Sequence, residues 1–411
     1  MALPVGLISF VLVSQLFDYR HLSFSPSVRM IFFISPDRLL FLVLLVVSGY
    51  AFLDGQLQGR SSDRVEIYVM FLFALLCTLS WFSTGLDFGS PVFRWLATLF
   101  NLIYFPFVVY LLVKNTRYSR AATVSLLWVI TGIGTYLVLT AIFEHFRLDA
   151  LVWPKYILDA SVGVQVGRAR GPFATSVTLG QWLIVTFMST SLLIQFAKAL
   201  LRFFLLYLLV PFTVLAIYFT DQRSVWLGFT AVLAITIVFG GKLRAQSLHV
   251  VLLILLTFFL GIGSKFSIYT NTLFSRRQST VDYRLANYRT AFKMGMSNLI
   301  TGVGYGNFVH EWEAYYDPAE AEFVSGGLAD GNHNTYLGLF AETGIFGSLL
   351  YVSLFLCLIR KCVSVWRHRS PAEDFERDFT ILAGALVVVA MNEALFSDLR
   401  FNPAGNTLLY L

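Results

Sequence analysis

The sequence predicts an all-α fold, a polytopic transmembrane helical bundle of about eleven to twelve spans with an external loop region containing short helices. Three observations predict it. The composition is 57% hydrophobic and only 13% charged, against about 25% charged residues in soluble domains. Charge-free windows such as Ala121 to Phe143 recur along the chain, and each approaches the roughly 20 apolar residues that cross a bilayer. These windows are continuous, without the ten-residue alternation of an outer-membrane barrel, and in lipid a continuous apolar run satisfies its backbone only as a helix.

Charged residues and turn formers set the limits of each span. Ala2 to Phe17 is apolar but lacks a basic front, so it reads as a first span or signal anchor and not as a cleaved leader. Leu39 to Leu53 is held between Arg38 and Asp54, and Glu66 to Ser83 follows Arg64. Val92 to Val113 ends at Lys114, Ala121 to Phe143 lies between Arg120 and Glu144, and Ser176 to Ala197 stops at Lys198. Phe203 to Phe219 and Ser224 to Phe239 are divided by a very short polar connection at Asp221 to Arg223. Leu248 to Gly263, Asn334 to Ile359 and Phe379 to Ser397 complete the series, and a twelfth span starts near Gly405. The expected division is an N-terminal set of helices over 1–160 and a second transmembrane domain over 161–411 that contains a large external loop, 264–333. Cys77, Cys357 and Cys362 are odd in number and lie in or beside spans, which suits packing as small apolar residues and not a disulfide framework.

Orientation follows from the basic residues. Arg60 and Arg64, Lys114, Arg117 and Arg120, Lys198 and Arg202, Lys242 and Arg244, and the group from Arg360 to Arg377 all fall on one side of the membrane by this count. The positive-inside rule makes that side cytoplasmic. Arg20, Arg29 and Arg38 dissent: either the first span is placed differently or those arginines serve a ligand.

The remaining polar clusters open onto the opposite face. They are Arg168 and Arg170 in "GRARGPF", Arg223 in "TDQRSVW", Arg284 and Arg289 in "DYRLANYRTAFKMG", the "GVGYGNF" turn, and His333. A single arginine at a membrane boundary commonly snorkels to headgroups. Several on the face from which topology signals exclude them call for an anion. Guanidinium forks match phosphate oxygens two at a time, so a lipid-linked diphosphate fits better than a small carboxylate. No metal or other cofactor is expected. The external side has no Asp-x-Asp pair, no histidines at ligand spacing and no phosphate-binding Gly-x-x-x-x-Gly-Lys loop. The glycines of "GVGYGNF" read as a tight turn. Membrane lipids are expected partners and nucleic acid is not.

His333 is the candidate for proton transfer, because an imidazole titrates near neutral pH and general-base help is typically worth about 10² to 10⁴ in rate. Asn332 or Asn334 is suited to capping the helix that starts there, and the helix start offers amide dipoles to an anion. Glu342 and Glu393 are carboxylates inside spans, which marks both as candidates. Two readings of Glu342 stay open, a hydrogen bond between helices or a contact to substrate.

"HNTYLGLFAETGIFG", with "GVGYGNF" upstream and "TDQRSVWLGF" at a span start, resembles the O-antigen ligase and polysaccharide polymerase superfamily of bacterial envelopes over roughly 167–347. That resemblance implies a metal-independent, inverting, membrane-embedded glycosyltransferase in the inner (plasma) membrane with its site on the periplasmic side. It would move a glycan from undecaprenyl diphosphate to a hydroxyl of a glycan or lipid A-core acceptor. Carried onto this chain, His333 matches the family's histidine, and Arg223 and Arg284 match its diphosphate arginines. Arg170 and Arg289 are additions to that set, with Asn334 and Glu342 in support. "GPFATSVTLG" lacks the family's common Pro-Asn pair, which leaves Arg168 and Arg170 as alternatives. A lipid-linked oligosaccharide flippase is the reading from another class, since it also needs many spans and diphosphate arginines.

Overall fold

The computed structural model describes residues 64–82, 103–115, 119–162, 167–257, 281–320, 332–368 and 374–399, with a few single positions elsewhere. Apart from single positions, the expected spans Ala2 to Phe17 and Leu39 to Leu53, the twelfth near Gly405, the first part of Val92 to Val113 and the end of Leu248 to Gly263 lie outside the described residues. So do the three dissenting arginines.

The described residues contain helices and no strand. The principal helices are α1 Val65–Phe82, α2 Phe105–Asn115, α3 Arg120–His145, α4 Ser176–Leu193, α5 Ala199–Phe219, α6 Arg223–Phe239, α7 Lys242–Thr257, α8 281–297, α9 Thr335–His368 and α10 Asp374–Phe396. Six of them, α1, α3, α4, α5, α9 and α10, are long and apolar enough to cross a membrane. The doubtful division between Phe203 and Phe239 is made at Thr220 to Gln222, where α5 ends and α6 begins. A π-helical turn at Leu205–Leu209 precedes Pro211 inside α5, as expected where a proline removes a backbone donor.

Burial separates lipid-facing helices from the central one. In α1 one side buries Met70, Phe73, Ala74, Cys77 and Trp81, while Tyr68, Phe71, Leu72, Leu75 and Leu79 are exposed apolar residues of the kind that meet acyl chains. α4 is buried along its whole length and has the lowest hydropathy of the six membrane-length helices. A helix with no lipid contact can carry hydroxyls if each finds an acceptor. Thr186 donates to the Trp182 carbonyl at 2.8 Å, and Ser189 donates to the Leu127 carbonyl of α3 at 2.8 Å while pairing with Thr131 at 3.0 Å.

The helices gather charge at one end and the candidate site at the other. At the first end Glu66 of α1 is bridged by Lys114 of α2 and Lys361 of α9. Nearby chain ends meet as well: the Arg120 guanidinium lies over the Phe196 and Phe375 rings at 5.1 and 5.2 Å, and Asp378 of α10 accepts from Gln195 and from the Gly241 backbone. At the opposite end the last turn of α3, the last of α5, the first of α6, the start of α9 and the last of α10 come together. Asn392 of α10 donates to the Ser224 carbonyl of α6 at 2.7 Å, and Asn334 donates to the Leu395 carbonyl at 3.1 Å.

Candidate functional site

α9 begins at a polar knot. The Asn334 side chain accepts from the Leu337 backbone at 3.0 Å and so caps the helix, while Asn332 accepts from the Asn334 backbone at 3.0 Å. Between them His333 has φ +55°, the left-handed region that side chains with a Cβ rarely adopt. α8 lies over this turn. The Tyr283 ring packs edge-on against the His333 imidazole with centroids 5.7 Å apart, and the Tyr288 hydroxyl is shared between the carbonyls of His333 at 3.3 Å and Leu395 at 3.2 Å. Burial pushes the Tyr288 phenol above its ordinary range, against the opposing effects of Arg284, one turn away, and Asn334. Tyr288 therefore ties the His333 backbone to the end of α10, with Arg284 one turn away on α8.

α8 reaches that position through a second knot, built from the glycine-rich turn. α9 is broken at Gly344, which has φ +67°, and the turn from Leu299 to Gly304 docks on the helix at this break. Val303 donates to the Ala341 carbonyl at 3.0 Å, Gly304 to that of Glu342 at 2.9 Å, and Ile345 donates back to Leu299 at 2.9 Å. The Glu342 carboxylate accepts from the backbones of Gly306 at 2.7 Å and Phe308 at 3.2 Å. Ser80 of α1 joins, donating to the Glu342 carbonyl and accepting from Tyr305. A Cβ on Gly302, itself at φ +66°, would lie 2.2 Å from the Glu342 carbonyl carbon, so only glycine allows this approach. Of the two readings of Glu342, this structure displays the internal hydrogen bond. Its partners are backbone amides of the glycine-rich turn and of the first residue of the short helix Phe308–Glu311.

The arginines differ in state. Arg223 is exposed at the first turn of α6, and Arg284 is half-buried on α8. Arg289 is ion-paired with Glu320 of the short helix Pro318–Glu320. Residues 321–331 lie outside the described residues. Arg170 is only 4% exposed, and its guanidinium donates to the carbonyls of Tyr156, Ile157, Asp159 and Phe173. It is held inside its own loop. Arg168 is 38% exposed along its side chain and lies 3.5 Å from Asp221, two residues before Arg223. Glu393 is fully buried on α10, beside Ser224 of α6. Glu144, the one carboxylate of α3, is a span boundary in the sequence, and nothing there marks it as part of a site. It accepts from the backbones of Arg170 and Gly171 at 3.0 and 2.9 Å.

Six helices of membrane-crossing length and composition point to a multi-pass membrane protein, and a histidine, a capping asparagine and several arginines lie towards one end of the bundle. Residues 203–352 match the family described as O-antigen ligase, so this part of the chain is similar to a family of glycosyltransferase-type membrane enzymes. The matched segment contains Arg223, Arg284, Arg289, His333 and Glu342. The chain matches no curated protein.

Proposed function

We propose that the protein transfers a glycan from undecaprenyl diphosphate to an acceptor hydroxyl at the periplasmic face of the bacterial inner membrane, with inversion and without a metal. The acceptor is a glycan or a lipid A core. His333 takes the proton of the acceptor hydroxyl as the new glycosidic bond forms. Arg223, Arg284 and Arg289 hold the diphosphate as it departs with the electron pair of the broken bond. Asn334 and Glu342 act indirectly, one by capping the helix beside His333 and the other by holding the glycine-rich turn. The single observation that carries this reading is the network linking the His333 backbone to Tyr288, one turn from Arg284, and to the end of α10.

Differential stabilisation explains the division of labour. Charge grows on the bridging phosphate oxygen only as the anomeric carbon leaves, and a donor already aimed at that oxygen is commonly worth about 3 to 4 kcal/mol. The α8 arginines reach a fixed place because the turn beneath them is pinned to α9. Arg289 must leave Glu320 to serve, an exchange of one partly exposed partner for a dianion.

Purified full-length protein incubated with a lipid-linked oligosaccharide and candidate acceptors tests the reading. The expected products are transferred glycan and free undecaprenyl diphosphate in equal amounts, formed equally in the presence of a chelator. Movement of the intact donor across a vesicle bilayer with no release of lipid diphosphate would instead establish the flippase reading.

A further inference from the structure

Resting on the reading above, we infer that Arg168 is the residue through which loop 167–171 meets the anionic headgroup, and that Arg170 and Glu144 are positioning residues that hold it there. Neither arginine lies in the segment matched by the family, so the match assigns no role to either.

Two terminal nitrogens of Arg170 are committed to four carbonyls at 2.8 to 3.2 Å, within a site only 4% exposed. Turning this fork towards a ligand would strip those carbonyls of their donor in a water-poor setting, which is unfavourable. Its position is fixed from other sides too. Glu144 accepts from the backbones of Arg170 and Gly171, Ala169 donates to the Phe219 carbonyl at 3.2 Å, and Tyr156 donates to the Pro172 carbonyl at 2.8 Å.

Arg168 stands just outside this frame, after Gly167, which takes φ +87°. Its only described carboxylate contact is the 3.5 Å approach to Asp221, with both side chains partly exposed. Such a pair is loose and readily exchanged for a dianionic diphosphate. Asp221, itself at φ +47°, leads directly into Gln222 and Arg223. The contact therefore brings Arg168 to the turn that leads into α6, two residues before the exposed Arg223 of its first helical turn.

The test uses full-length protein in nanodiscs, with undecaprenyl diphosphate as the probe for binding and the transfer assay for KM and kcat. Arg168→Ala is expected to raise the probe Kd about tenfold or more, in proportion to the loss of charge-assisted hydrogen bonds. Arg168→Lys is expected to recover only part of this, since an ammonium lacks the planar fork. Glu144→Ala is expected to raise KM at unchanged kcat, with Glu144→Gln restoring it because one oxygen receives both backbone donors. Adding Arg170→Ala to Arg168→Ala is expected to weaken binding no further, because Arg170 acts through its neighbour. Additive losses would show that Arg170 touches the ligand directly and would overturn the inference. So would wild-type binding by Arg168→Ala alongside lost binding by Arg223→Ala, an outcome that leaves the proposed function standing. Wild-type binding by all of Arg168→Ala, Arg223→Ala and Arg284→Ala would sink the proposed function itself.

Discussion

His333 occupies a backbone conformation that asparagine and glycine adopt easily and other residues adopt at a cost of order 1 kcal/mol. That cost persists because the neighbours on both sides over-determine the turn: Asn332 bonds to the backbone of Asn334, and Asn334 caps α9 and donates to Leu395. His333→Asn should therefore fold at least as stably as the wild type while losing transfer by two to four orders of magnitude, the range of general-base help. A thermal-unfolding midpoint measured beside the transfer rate checks both halves. Asn334→Ala should cost about 1 kcal/mol of stability by removing the cap and should lower kcat more than it raises donor KM. At this scale the Asn334 cap was legible in the sequence, because residue type and position at a span start carry the information. The difference between Arg168 and Arg170 was not. Two arginines in "GRARG" are chemically alike, and what separates them is a carboxylate on Glu144 and carbonyls of residues 156–159 that only the fold brings together.

The elements meet through backbone groups more than side chains. α9 is interrupted at Gly344, and the backbone groups freed at the kink pair with the turn after α8, so the "GVGYGNF" and "ETGIFG" stretches are two halves of one joint. The sequence showed both as small-residue patterns and read the first as a turn. It could not show that they pair, because a helical wheel assumes an unbroken helix and the break is what frees the amides and carbonyls. Glu342 completes the joint, and Glu342→Ala would leave the Gly306 and Phe308 amides unpaired at about 1 to 3 kcal/mol each. Glu342→Gln keeps one acceptor and should lie between. The check is a drop in unfolding midpoint, largest for alanine, with undecaprenyl diphosphate binding to the surviving folded fraction unchanged. Weaker binding at wild-type stability would mean that Glu342 contacts substrate after all. Gly302→Ala should be the most severe change in this region, since a methyl group there meets backbone and not a movable side chain.

Across the whole molecule, the helix ends sort by chemistry. Glu66 with its two lysines and the Arg120 cluster mark one end, and the arginines, His333 and the Asn392–Ser224 contact mark the other. Hydropathy and the spacing of basic residues anticipated the separation of the two ends, because both follow from one physical demand, the exclusion of charge from hydrocarbon. The same demand hid α4: a helix surrounded by protein is released from high hydropathy, and its central place emerges only from packing. In a cysteine-free background, Glu313→Cys should react with a membrane-impermeant thiol reagent in intact spheroplasts, and Arg367→Cys should react only after lysis. The reverse pattern would invert the orientation.

The central claim is that chemistry and headgroup binding are carried by different residues at one site. The most direct measurement compares His333→Ala with Arg223→Ala in two readouts on the same purified protein, the affinity for a lipid-linked donor and the rate of a single transfer turnover. The account predicts that His333→Ala binds donor within about twofold of wild type yet transfers at least a hundredfold more slowly, since the imidazole acts on the acceptor and not on the diphosphate. It predicts that Arg223→Ala loses both, each by about ten- to a hundredfold, through loss of charge-assisted bonds worth about 1.5 to 3 kcal/mol. Full transfer by His333→Ala, or donor affinity lost with the histidine and kept without the arginine, would contradict it.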